Sequence, residues 1–104
     1  MIRKKAMNNP YFIIAYDIED DRARQKVSEA LLNAGLLRVQ KSVFEGEIAP
    51  KKLEKLQNQL GKHIGKADSI RYYRLCGKCR RDVTVQGRDD FPERKAVTII
   101  WRVS

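Results

Sequence analysis

Several features that would point to particular classes of protein are missing from this sequence. Its 104 residues contain no apolar run near the roughly 20 residues that a membrane helix needs. The basic residues 1–9 are not followed by the apolar stretch and small-residue cleavage site of a signal peptide. We therefore expect a single cytoplasmic domain without a membrane partner, in which residues 1–10 form a flexible basic arm.

Histidine and cysteine, which ligate most transition metals, are also scarce. The only histidine, His63, stands near a predicted helix end beside lysine and glycine, which favours a solvated surface position over catalysis or metal binding. The two cysteines form one Cys76-Gly-Lys-Cys79 pair, half of a zinc knuckle. A full zinc site would need two further ligands, available only where two chains meet, so we expect free thiols in a reducing cytoplasm and keep zinc as the alternative.

Acidic residues are outnumbered by basic ones. Thirteen Asp and Glu stand against 22 Lys and Arg, which gives a net charge of +9 and a field that attracts phosphates. The basic residues are spread along the chain rather than concentrated on one amphipathic helix, which weakens the case for an anionic membrane surface. The aromatic-rich Lys/Arg-Gly-Phe motif of RNA-recognition modules is absent. DNA or RNA, bound largely through its phosphates, is therefore the expected partner.

An apolar run that ends abruptly in acids organises the chain. Residues 11–16 predict a strand, and Asp20 or Asp21 is the expected N-cap of the helix that follows. Asp17 falls at the carboxyl end of the strand, on the face that also carries Ala15. Ligands and catalytic groups gather at this edge in sheets flanked by helices, so Asp17 is a candidate site residue.

Two amphipathic helices are predicted. The first closes at Gly35, and its cations Arg22, Arg24 and Lys26 lie in the first turns, where they oppose the helix dipole and suggest an anion site near Asp17. Its apolar stripe comprises Ala23, Val27, Ala30, Leu31 and Ala34. The second helix begins at Pro50, and its stripe comprises Leu53, Leu56, Leu60 and Ile64.

The other elements are predicted as strands. Period-two alternation over residues 36–48 indicates one strand, in which Gly46 marks a bulge or the strand's end. In the next strand Tyr72 and Tyr73 face opposite ways, so at most one of them can stack on a base. The predicted order after the second helix is a strand at 69–76, a tight connection at 77–81, a strand at 83–86, a charged linker at 88–95 and a strand at 96–104.

This order predicts an α+β fold: a ferredoxin-like sandwich of βαββαβ type over residues 11–87, with an extra C-terminal strand. Both helices would cover one face of the sheet. The first strand is apolar on both faces, however, which argues that the second face is covered as well. We therefore expect a homodimer packed sheet to sheet, with residues 96–104 pairing with an edge of the partner's sheet.

Short motifs in the first half of the chain closely resemble the CRISPR-associated protein 2 family, the small endonuclease of spacer acquisition. They are Tyr16-Asp17-Ile18, Asp20-Asp21, Arg24, Gly35-Leu36, Arg38-Val39-Gln40 and Ser42-Val43-Phe44. The resemblance spans about residues 11–87. It implies a ferredoxin-like homodimer whose C-terminal strand reaches across to the partner, which holds duplex DNA and pairs with the spacer integrase.

The resemblance also assigns roles by position. It makes Asp17 the metal-binding aspartate and Tyr16 the tyrosine implicated beside it. Positions implicated in activity or substrate binding are Arg24, Arg38, Ser42 and Phe44. Lys26 stands where some members have a second arginine, so it keeps the charge for nucleic-acid binding but loses the bidentate fork.

Two hypotheses about function follow. The first is a magnesium-dependent endonuclease acting on RNA or DNA, in which Asp17 of each chain meets its twin across a twofold axis to complete the metal site. The alternative is a non-catalytic scaffold that holds DNA for the integrase through its positive charge. They differ in whether Asp17 matters for activity.

Overall fold

A computed structural model describes residues 9–87 of the chain. The elements are β1 (Tyr11–Asp17), α1 (Asp21–Asn33), β2 (Leu37–Gln40), β3 (Val43–Glu47), α2 (Pro50–Gly61), β4 (Ser69–Leu75) and α3 (Gly77–Arg81). The four strands form one sheet in the order β2-β3-β1-β4, and every neighbouring pair is antiparallel. This arrangement confirms the predicted ferredoxin-like α+β fold.

The ends of α1 are set by local sequence, as predicted. The carboxylate of Asp20 is the N-cap and accepts a hydrogen bond from the backbone N–H of Ala23 at 2.8 Å. At the other end Gly35 has a φ of +92°, which glycine adopts at little cost. The N–H groups of Gly35 and Leu36 donate to the carbonyls of Leu32 and Leu31, a Schellman motif that turns the chain into β2.

The core lies between the sheet and the two long helices. The predicted stripes of both helices face it, and the largest fully buried side chains are Phe44, Ile14, Leu31, Leu60 and Val27. Tyr72 packs against this core whereas Tyr73 is 49% exposed, so the two tyrosines do face opposite ways. None of the helices within residues 9–87 combines the length and apolar character that crossing a membrane requires.

The prediction of one strand over residues 36–48 was wrong. The segment is a hairpin of β2 and β3 that reverses at Lys41 and Ser42. The turn contains no glycine, proline, asparagine or aspartate, and serine favours turns only weakly. Because the alternation also continues across the turn, the local signal for a reversal is weak. Of the two alternatives predicted for Gly46, the bulge is absent, because Gly46 pairs with Phe12 in register and the shift lies between Arg38 and Gln40; the strand ends one residue later, at Glu47.

The strand predicted at 83–86 was wrong as well, and the connection at 77–81 is helical. Residues 77–81 form the single turn of α3, capped by Cys76, and the N–H of Val83 donates to the carbonyl of Arg80. Because β2 and β3 already supply the second and third strands, β4 is the last strand among residues 9–87. Residues 1–8 of the predicted arm at 1–10, the linker at 88–95 and the strand predicted at 96–104 lie outside the described residues.

Candidate functional site

An open cavity of about 550 Å³ lies at the carboxyl end of β1. It is bordered by the end of β1, the first two turns of α1 and the β2–β3 hairpin. Five of the predicted site residues line it, namely Tyr16, Asp17, Arg24, Arg38 and Ser42. Residues far apart in sequence therefore meet in one concave surface, which is the usual geometry of a ligand site.

Asp17 presents an exposed carboxylate at the rim of this cavity. Within residues 9–87 its carboxylate takes part in no hydrogen bond or ion pair. The loop after it is held by Asp68, which accepts hydrogen bonds from the backbone N–H of Glu19 at 3.1 Å and of Gly65 at 2.7 Å. The strand end is thus fixed in place while the carboxylate itself stays available to a ligand.

Arg24 lies on α1 and folds back over the end of β1. Its Nη1 donates to the carbonyls of Ile18 at 3.1 Å and Glu19 at 3.3 Å, and its Nη2 pairs with the carboxylate of Asp21. The side chains of Arg24 and Asp21 are 42% and 90% exposed. An ion pair so exposed contributes about 0–1 kcal/mol, so a phosphate can compete with Asp21 for the guanidinium.

Arg38 is held more firmly than Arg24, because it projects from β2 between a buried ring and a buried serine. Its guanidinium carbon lies 5.2 Å from the ring centroid of Phe44, which is fully buried. Its Nη2 donates to Oγ of Ser28, itself only 7% exposed. The Nε of Arg38 is buried and has no hydrogen-bond acceptor within the described part of the chain, so this cation gains from a nearby anion.

Tyr16 and Ser42 connect β1 to the hairpin turn. The backbone N–H of Tyr16 donates to the carbonyl of Ser42 at 3.0 Å, and the Tyr16 hydroxyl donates to the carbonyl of Lys41 at 3.4 Å. The Tyr16 ring stacks on Phe44 with centroids 6.2 Å apart. Phe44 therefore supports the cavity from beneath, and Tyr16 is mostly buried with its hydroxyl engaged by the turn.

Two predicted site residues do not border the cavity: Phe44 is fully buried beneath it, and Lys26 lies elsewhere. It lies on the exposed side of α1 with Arg22 and Glu29 and does not border the cavity. Sequence reasoning missed Ser28, which follows Arg24 by one helical turn and so shares its side of the helix. The sequence signal that could have identified Ser28 is its position beside the apolar stripe of the helix, one turn after a cation.

Magnesium prefers oxygen ligands, and Asp17 offers the right kind of oxygen. The described residues, however, supply too few such ligands for a metal site. Residues 9–87 contain no group of three or more His, Cys, Asp or Glu side chains that could hold a metal. Asp21, the other carboxylate bordering the cavity, is paired with Arg24. The donor chemistry fits a magnesium ion only if a second chain adds its own Asp17.

Comparison with known proteins gives a consistent result. The family model described as CRISPR-associated protein Cas2 matches residues 10–83. A protein of Synechocystis named CRISPR-associated endoribonuclease Cas2 3 is 42% identical over 77 residues, which cover 73% of this chain and 83% of that one. The CRISPR-associated endoribonuclease Cas2 of Nanoarchaeum equitans is 40% identical over 82 residues, covering 78% and 88%.

Solved structures agree with these relatives. The crystal structure of Streptococcus pyogenes Cas2 superposes with a TM-score of 0.66 at 28% identity, covering 74% of this chain and 99% of that one. A second structure, of a Thermus thermophilus protein, gives a TM-score of 0.70 at 32% identity and covers 82% and 99%. Residues 10–83, which the family model matches, contain all the residues that border the cavity.

Proposed function

The chain belongs to the CRISPR-associated Cas2 family, and we propose that it is an endonuclease of spacer acquisition that cleaves phosphodiester bonds in RNA or DNA. The observation that carries this proposal is the meeting of one unpaired carboxylate, Asp17, with two arginines, Arg24 and Arg38, in a single cavity. The names of the relatives, which specify an endoribonuclease, support the same reaction.

Each group in the cavity has a task in this reaction. Arg24 and Arg38 draw in a phosphate and offset the negative charge that develops on it during cleavage. Their roles differ because Arg24 must give up Asp21, whereas Arg38 is already oriented by Ser28 and Phe44. Tyr16 and Ser42 fix the hairpin turn against β1, which keeps Arg38 and Asp17 on the same cavity.

Asp17 would hold a magnesium ion together with Asp17 of a second copy of the chain. Such an ion, when bound, supplies charge neutralisation and an activated water. The required homodimer is supported by the sheet face opposite the helices, where Tyr73 is exposed and Ile13 and Ala15 are only partly buried. Apolar side chains left partly open on a sheet face are what a second sheet would cover.

The test compares cleavage of RNA, single-stranded DNA and duplex DNA with magnesium and with a chelator. We expect magnesium-dependent cleavage that Asp17→Asn abolishes, while nucleic-acid binding is kept or strengthened because a negative charge is removed. Glu19→Gln is the matched control, since Glu19 is an exposed acid two residues further on that does not border the cavity. Equal cleavage by wild type and Asp17→Asn would make Asp17 structural.

The second candidate function is a non-catalytic scaffold that holds DNA for the spacer integrase. It is favoured by the net charge of +9 and by the short supply of metal ligands within residues 9–87. The scaffold function is the correct one if wild type, Asp17→Asn and Glu19→Gln all fail to cut any substrate, while wild type binds duplex DNA and assembles with the integrase.

A further inference from the structure

The two cysteines lie at the opposite end of the sheet from the candidate active site. Cys76 directly follows β4, whose last residue, Leu75, pairs with Tyr11 at the start of β1. Asp17 stands at the other end of β1, six residues away, which is about 20 Å along a strand. Any chemistry at the cysteines is therefore separate from that of the nuclease cavity.

The cysteines are one helical turn apart and in contact. Cys76 is the N-cap of α3, and its Sγ accepts a hydrogen bond from the backbone N–H of Cys79 at 3.2 Å. Both residues are exposed and neither is in a disulfide. Two sulfurs held together in this way can join without unfolding the chain.

The two thiols are chemically unequal. Hydrogen bonds from the backbone N–H and then from the thiol of Cys79 lower the pKa of Cys76. The pKa of Cys79 is raised, first by its hydrogen bond to the Cys76 sulfur and then by the charge of that sulfur. Since the thiolate is the nucleophile, Cys76 is the sulfur that attacks and Cys79 the one that follows.

A second cavity, of about 450 Å³, opens beside Cys76 but is not bordered by Cys79. Arg80 borders it and anchors α3 to the sheet, because it pairs with Glu47 at 2.9 Å and lies 4.1 Å from the ring centroid of Tyr11. Arg74 borders it too, is exposed, and makes no ion pair within the described part of the chain. The cavity thus offers a free cation for an anionic ligand next to the nucleophilic sulfur.

We propose that Cys76 and Cys79 form a redox-active dithiol that reacts with small anionic disulfides such as glutathione disulfide. The Cys76 thiolate attacks one sulfur of the disulfide, forms a mixed disulfide and releases the first thiol. The Cys79 thiolate then attacks Sγ of Cys76 and displaces the second thiol. The protein loses two electrons and two protons in forming the Cys76–Cys79 bond, and the small disulfide gains them as two thiols.

The experiment treats the reduced full-length protein with glutathione disulfide and follows intact mass. We expect wild type to lose two hydrogens and to accumulate little adduct. Cys79→Ser should instead accumulate one glutathione adduct at Cys76. Cys76→Ser should react several-fold more slowly than Cys79→Ser, because only the Cys76 sulfur accepts the hydrogen bond from the backbone N–H of residue 79, which stabilises its thiolate and remains in Cys79→Ser. Arg74→Gln should slow the reaction with glutathione disulfide but not with a neutral disulfide.

Three results would overturn the proposal. The first is equal adduct formation by the two single-cysteine variants, which would remove the distinction between the thiols. The second is a wild type that accumulates mixed disulfide without closing the intrachain bond. The third is tightly bound zinc in the purified protein that protects both thiols, which would make the pair a metal site.

Discussion

Ser28→Ala tests whether a buried serine orients the arginine of the candidate active site. The substitution removes the Oγ that accepts a hydrogen bond from Nη2 of Arg38, whose Nε is already buried without an acceptor among residues 9–87. A hydrogen bond to a charged group contributes about 1.5–3 kcal/mol. Because Arg38 is only partly buried and can turn toward water, we expect the lower end, a loss of about 1.5 kcal/mol in the free energy of unfolding.

The effect on binding follows from the lost orientation. An Arg38 side chain that is no longer held must be immobilised when nucleic acid binds, which costs about 0.5–1.5 kcal/mol, or roughly two- to tenfold in affinity. Urea unfolding measures the first quantity, and fluorescence anisotropy with a labelled duplex at fixed salt measures the second. Gln25→Ala is the control, because Gln25 borders the same cavity but its side chain donates to Glu29 instead.

A double-mutant cycle separates positioning from a merely structural role. If Ser28 acts through Arg38, Ser28→Ala should weaken binding in the wild-type background and have almost no further effect on binding in Arg38→Gln. An equal loss of affinity in both backgrounds would refute the reasoning, since Ser28 would then influence the site by another route.

Four further predictions follow. Gly46→Ala should destabilise the protein by about 1–3 kcal/mol in urea unfolding, because the new Cβ would lie 2.8 Å from Cδ2 of buried Leu36; Gly61→Ala, which meets nothing within 4 Å, is the control and should be near neutral. Burial raises the pKa of Tyr72 above its usual 10.0, so its contribution to the free energy of unfolding should be fully present below pH 10 and be lost as the pH rises above 10. Tyr72→Phe should remove this part of the loss of stability at alkaline pH. Affinity for duplex DNA should fall steeply with salt and vary little with sequence, and a salt-independent affinity would contradict binding through phosphates. Removal of residues 96–104 should weaken dimerisation in analytical ultracentrifugation, and an unchanged dimer would contradict the pairing predicted from their apolar sequence.

Elements with strong local signals could be predicted from the sequence with little error. The cap at Asp20, the αL glycine at Gly35 and the proline that opens α2 each depend on a few neighbouring residues. Their physics is local, because a cap satisfies backbone groups within one turn. Lys26, in contrast, was assigned by resemblance, and its place on the exposed side of α1 depends on which face of that helix the sheet covers.

The sequence by itself determined the fold class, the carboxylate at the end of β1 and the family motifs, since hydrophobic period and short-range chemistry need no distant contacts. Only the tertiary structure decided that residues 36–48 form two strands, because a turn at Lys41 and Ser42 lowers the free energy only when β3 can pair with β1. It also decided that Ser28 meets Arg38 and that Cys76 and Arg74 border the same cavity, because the packing of separate elements fixes which way these side chains turn.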